Sequence, residues 1–93
     1  MKLMTEAIES SLPTRNESDD AQAVVKYFTP DADWTWYATE YDPESRLFFG
    51  LVDGFERELG YFSLDELEQL RGPLGLPVER DLYWKPTPLS ELA

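Results

Sequence analysis

An α+β fold is predicted: a four- to five-stranded antiparallel meander sheet with short helices packed on it. Three observations predict it. Runs of β-branched and aromatic residues recur from residue 23 to residue 62, each followed by turn-forming residues. The connections between them are short, so successive strands pair as neighbours. Helical spacing of apolar residues occurs outside that run, before Pro13 and after Phe62, which separates α+β from α/β. The 93 residues, 42% of them hydrophobic, suit one domain, 1–93, with a small core.

Met4, Ile8 and Leu12 recur at i, i+4 and i+8, with Leu3 and Ala7 extending the stripe. This predicts an amphipathic helix capped by Thr5 and ended by Pro13. Residues 13–22 contain no large apolar side chain and are expected to be an exposed loop, the most mobile stretch. Residues 23–29 (AVVKYFT) read as a first strand, and Pro30 to Asp33 as a turn. Residues 34–41 (WTWYATEY) are the clearest strand. Strict alternation places Trp34, Trp36 and Ala38 on one face and Thr35, Tyr37, Thr39 and Tyr41 on the other. Asp42-Pro43-Glu44-Ser45 suits a type I turn. A third strand follows from Arg46 to Val52, then a short fourth from Leu59 to Phe62. Ser63 and Glu66 form a capping box, and Leu64, Leu67 and Leu70 give an apolar face to a helix over 63–71, stopped by Gly72-Pro73. Asp81 to Lys85 is expected as a fifth, edge strand. Thr87-Pro88 is expected to cap a last helical turn.

The formal charge is −11, from 19 acids against 8 bases. That argues against direct nucleic-acid binding and against an anionic membrane surface. With no Cys and no His, thiol chemistry, Cys/His zinc sites and His-based triads are excluded. No apolar run approaches a membrane span and no secretory h-region follows Lys2, so a cytoplasmic protein is expected.

Lys26-Tyr27-Phe28-Thr29-Pro30-Asp31-Ala32 resembles the Lys-Leu-Phe-Thr-Pro-Asp-Ala stretch of the DUF2958 family, bacterial proteins of unknown function. So do Thr35-Trp36, residues 39–44 (TEYDPE) and the long run 58–82 (ELGYFSLDELEQLRGPLGLPVERDL), and the opening Leu3-Met4-Thr5 is similar too. The resemblance covers roughly residues 3–93. It implies small bacterial proteins often carried near mobile-element or plasmid genes, and it brings no catalytic residues. The chain departs from the family's pattern at Tyr83-Trp84, where a His often precedes an aromatic residue.

Carboxylates are the only acid/base groups in quantity. Asp31 and Asp33 flank one turn, and Glu40, Asp42 and Glu44 crowd the next. Glycosidase-type chemistry needs two carboxyls across a cleft, for which a chain this small has little room. A hard-metal set of Asp31, Asp33 and Glu40 or Asp42 lacks the EF-hand spacing. No phosphate-cradling glycine motif is present. The expectation is therefore a non-enzyme with neither cofactor nor metal. The charge is uneven: residues 31–68 hold eleven acids and two bases, a net −9. An acidic coat that only keeps the protein soluble accounts for this. The sharper reading is a non-catalytic interaction or inhibitor module that docks a basic, nucleic-acid-binding protein, by nucleic-acid mimicry of the anti-restriction or anti-CRISPR type. The candidate partner-binding residues are Asp31, Asp33, Glu40, Asp42 and Glu44, on two turns expected at one end or edge of the sheet. Asp53, Glu56 and Glu58 come next, with Tyr37 and Tyr41 as an exposed aromatic patch. The alternatives are an accessory subunit that self-associates or joins a larger complex, and a carboxylate- or metal-dependent enzyme.

Overall fold

A computed structural model describes residues 1–15 and 20–92. Helix α1 spans Glu6–Ser11, capped by the Thr5 hydroxyl, which accepts from the Ile8 amide. Strands follow as β1 (Gln22–Ala23), β2 (Val25–Phe28), β3 (Thr35–Asp42), β4 (Leu47–Asp53) and β5 (Arg57–Ser63). Helix α2 is Leu64–Gln69, then come β6 (Glu79–Arg80), β7 (Thr87–Pro88) and a 3₁₀ turn, Leu89–Glu91. The main sheet has the order β5-β4-β3-β2-β6 and every pairing is antiparallel. This is the α+β meander that the sequence predicts. β1 pairs with β7 in a separate two-stranded ribbon. Among the described residues no helix is long and apolar enough to cross a membrane. Of the expected 13–22 loop, residues 16–19 lie outside the described residues, while Pro13, Thr14, Arg15 and Asp20 are exposed.

One sheet face carries the core. Val25, Tyr27, Trp36, Ala38, Phe48 and Phe62 pack there beneath Leu3, Leu12, Leu64 and Leu67. The capping box forms as the sequence predicts, with the Ser63 hydroxyl accepting from the Glu66 amide at 3.2 Å. It aims Leu64 and Leu67, both buried, at the rings below. The helix ends earlier than expected, before Leu70. Arg71 lies beyond it and donates instead to the carbonyls of Glu68 and Leu70, the acceptors a helix end leaves open. Tyr27 is fully buried, and its hydroxyl donates to the Leu3 carbonyl at 2.6 Å, tying the N-terminal segment to the sheet. Burial pushes the Tyr27 hydroxyl well above its ordinary pKa, with Arg80 opposing the shift.

The C-terminal elements differ from expectation. The Asp81 carboxylate accepts from the Tyr83 amide, closing a turn where an edge strand is predicted, and the fifth strand is Glu79–Arg80, paired with β2. Thr87 and Pro88 pair with Ala23 and Gln22, and the expected last helical turn follows them directly as the 3₁₀ turn Leu89–Glu91, with Pro88 at its N-cap and no side-chain cap bond. These are tertiary pairings, and local propensity carries no signal for them.

Strict alternation also fails at one position of β3. Ala38 faces Gly50 and Glu40 faces Phe49, so Thr39 is the extra residue of a bulge. Its hydroxyl donates to the Phe49 carbonyl at 3.0 Å. The inserted residue turns Tyr41 onto the core face, where its ring lies 4.8 Å from that of Phe48. Tyr41 is 3% exposed, so the expected aromatic patch does not include it. Tyr37 stays on the opposite face but is also buried. Trp84 covers it at 5.5 Å between ring centroids, and the Lys26 ammonium lies 5.8 Å from the Tyr37 ring. Neither tyrosine presents a surface.

Candidate protein-interaction surface

A meander reverses direction at every hairpin, so consecutive turns lie at opposite ends of the sheet. The β2–β3 turn holds Asp31 and Asp33, and the β3–β4 turn holds Asp42 and Glu44. β3 is eight residues long and separates them by roughly 25 Å. The expectation that these two turns share an end is thereby corrected. Asp31, Asp33 and Glu40 or Asp42 cannot together ligate one metal ion. Glu40 lies toward the far end, paired with Phe49, and the Asp42 carboxylate accepts from the Glu44 amide within its own turn.

The near end gathers a different set. Thr35 faces Asp53 across the sheet, so the β4–β5 turn lies beside the β2–β3 turn. Asp33, Glu56 and Glu58 are exposed there, and among the described residues no ion pair engages them. Asp53 is spent on Arg57, at 3.2 Å. Asp31 is spent differently. One carboxylate oxygen accepts from the Leu74 amide at 2.8 Å and the Leu76 amide at 3.4 Å. That fastens the loop after α2 to the same end. A Cβ on Gly72 would lie 1.6 Å from the other oxygen of Asp31, so only glycine admits this carboxylate. Asp31 is thus a structural tie.

Large apolar side chains stand exposed on the same connections: Phe55 at 94% and Leu74 at 80%. Leu82 and Tyr83 are exposed beside a cavity of about 480 Å³ that also takes in Phe28, Ala32 and Trp34. Trp34 in turn walls a second cavity, of about 300 Å³, with Val52, Phe55, Glu56 and Glu58. The Trp34 ring lies against the backbone of the β4–β5 turn, since a Cβ on Gly54 would come within 2.3 Å of it. Exposed rings on connections held by a rigid sheet, with carboxylates at the same end that no ion pair engages among the described residues, are the chemistry of a protein-docking surface. The sequence reading missed Trp34, Phe55, Leu82 and Tyr83. The signal was there for Phe55, a large apolar residue within Asp53-Gly54-Phe55-Glu56, a turn where no core needs it.

The far end is acidic too, but its composition differs. Arg46 bridges Asp65 and Glu68, each at 2.8 Å, and draws the carboxylates of α2 into a local network. The charge-assisted bond to Asp65 raises the Arg46 pKa.

No curated protein and no solved structure matches the chain. The family model described as a protein of unknown function, DUF2958, matches residues 1–93, and the chain belongs to that family.

Proposed function

We propose that this chain is a small, non-catalytic interaction module of the cytoplasm that docks a basic protein through the near end of its sheet. The observation that carries the reading is the set Asp33, Glu56 and Glu58. These carboxylates are exposed and engaged by no ion pair among the described residues, and they share the near end of the sheet with the exposed Phe55. Cationic partners are steered to such a surface, and the apolar groups supply the contact area that charge alone does not. A nucleic-acid-binding protein is the natural partner class, because its phosphate-facing surface is rich in Lys and Arg. Fixed carboxylates on turns then stand where phosphates would.

The test is capture from host lysate at low and physiological salt, with duplex DNA as competitor. Wild type should retain a basic protein that DNA displaces, and Asp33→Asn/Glu56→Gln/Glu58→Gln should lose it. Asp42→Asn/Glu44→Gln, at the far end, should retain it. Equal retention by all three proteins at low salt would reduce the acidic end to a solubility coat.

One observation favours a second reading, self-association. β5 is a sheet edge, paired with β4 alone, and Leu59 and Tyr61 on it are 59% and 72% exposed. A charge of −11 on each copy opposes that dimer. Light scattering after size exclusion decides it: a dimer that strengthens with salt supports the second reading, and a monomer at both salts rejects it.

A further inference from the structure

The smaller cavity is built for one kind of occupant. Phe55 stands nearly free in solvent, yet its ring meets Trp34 edge-on, at 5.4 Å between centroids and 82° between planes. Trp36 stacks with Trp34 at 6.1 Å between centroids and 27° between planes, which holds the Trp34 ring. Val52, Glu56 and Glu58 complete the lining. Two rings at right angles with two carboxylates beside them offer π faces, apolar surface and negative charge within about 300 Å³.

The chain does not fill this cup with its own nearest cation. Arg57 lies between the two glutamates in sequence, but successive side chains of an extended strand point to opposite faces. Its guanidinium pairs with Asp53 and donates to the Leu92 carbonyl on the other side of the sheet. The two glutamates are left without a cation among the described residues.

We propose that the cup formed by Trp34, Val52, Phe55, Glu56 and Glu58 receives an arginine side chain of the partner protein. This rests on the reading that the partner is basic, and it names the contact. The planar guanidinium stacks on a ring face and meets carboxylates with its fixed fork of donors, while its methylenes lie along Val52 and Phe55. Lysine offers charge without the plane and binds less well. Citrulline offers a similar shape without the charge and does not bind.

The test uses the whole chain with hexa-arginine, hexa-lysine and hexa-citrulline peptides, followed by proton–nitrogen correlation spectra. On titration with hexa-arginine the indole resonance of Trp34 should move, and that of Trp84, on the opposite face, should stay. Affinity should fall from arginine to lysine and vanish with citrulline. Phe55→Ala should weaken hexa-arginine binding about two- to fivefold, the range of an exposed cation–ring contact. Phe55 is so exposed that the variant keeps its fold, which its melting temperature verifies. Glu56→Gln/Glu58→Gln should weaken binding further and erase the preference for arginine. Binding that Phe55→Ala leaves unchanged, with Trp34 unmoved, overturns the cup. If that same binding is lost in Asp33→Asn/Glu56→Gln/Glu58→Gln, the acidic surface still stands. No binding of hexa-arginine to wild type at low salt also overturns the cup, and the lysate capture then decides the acidic surface independently.

Discussion

Asp31 and Gly72 form a pair whose energetics can be worked from geometry. The Asp31 carboxylate accepts the Leu74 amide at 2.8 Å, and the Leu76 amide at 3.4 Å adds little. A hydrogen bond to a charged group contributes about 1.5–3 kcal/mol, and this carboxylate is only partly exposed. Asp31→Ala should therefore cost about 2 kcal/mol and lower the melting temperature of a domain this size by about 8–16 °C. Asp31→Asn should recover only part of it. The other carboxylate oxygen is buried without a partner, and the amide NH₂ placed there would be a donor with no acceptor.

Gly72→Ala probes the same contact from the other side. Its Cβ would fall 1.6 Å from that second oxygen, so the carboxylate must leave its site. The loss should again be about 2 kcal/mol by this route. Gly72 has no left-handed backbone to strain an alanine. With Asp31 already Ala, the three atoms nearest that Cβ are gone, and Gly72→Ala should be neutral, or stabilise by about 0.4–1 kcal/mol through the unfolded chain. The double-mutant cycle should then show a coupling of about 2 kcal/mol or more, measured by urea denaturation of the four proteins. Hydrogen exchange at the Leu74 amide should accelerate in each single variant. Additive losses, or an Asp31→Ala protein with an unchanged melting temperature, would refute the tie and return Asp31 to the list of free surface charges.

Other outcomes follow from the packing. Leu67→Ala opens a cavity between α2 and the sheet and should cost about 2–5 kcal/mol, and an unaltered melting temperature would remove α2 from the core. The Tyr27 pKa is raised in the folded state by burial, and that of Tyr41 is raised for the same first reason. Their contribution to stability is whole below pH about 10, where the unfolded tyrosines stay protonated. It falls as pH rises further, by up to about 1.4 kcal/mol per pH unit for Tyr27. Urea midpoints between pH 8 and 11.5 should show the decline, and Tyr27→Phe should shallow it; an identical slope in the variant would exclude Tyr27 as its source. Phe55→Ala should shift stability by less than about 0.5 kcal/mol, because the ring is in solvent, and a larger loss would mean that Phe55 holds Trp34 in place.

The parts of the fold legible in the sequence are those set by local chemistry. Thr5 and Ser63 cap their helices because a hydroxyl at that position meets an amide three residues on. The β-branched and aromatic runs became β2 to β5 with boundaries shifted by a few residues. What escaped was set by contacts distant in sequence. Thr39 bulges where β3 and β4 change register, and nothing in residues 34–41 marks which residue is extra. Thr87-Pro88 does precede a helical turn, but its pairing with Gln22-Ala23, distant in sequence, left no local mark. The candidate site was half legible: Asp33, Glu56 and Glu58 are on the surface, whereas Asp31 and Asp53 are tied, and Tyr37 and Tyr41 are buried.

One element of the site follows from strand topology alone. In a meander the first and third hairpin turns share an end, and the second lies opposite them. Applied to residues 23–62, that parity puts Asp31 and Asp33 with Asp53, Glu56 and Glu58, and sets Asp42 and Glu44 apart, whatever the twist of the sheet. The same parity carries Trp34 to the turn that holds Gly54 and Phe55, since Trp34 precedes β3 and Gly54 follows β4. Ring and carboxylate thus converge by topology, with the sheet as a rigid base beneath them. A surface assembled this way has its charges on separate connections, so single substitutions should alter its affinity nearly additively. Asp33→Asn, on the β2–β3 turn, and Glu58→Gln, on β5, share no hydrogen bond, and their effects on partner binding should sum within about 0.3–0.5 kcal/mol. Glu56→Gln and Glu58→Gln, on one cavity wall, should not. A strong coupling between Asp33 and Glu58 would mean that the partner reorganises the β2–β3 turn and the start of β5 together, and that the sheet end is not the preformed surface its geometry describes.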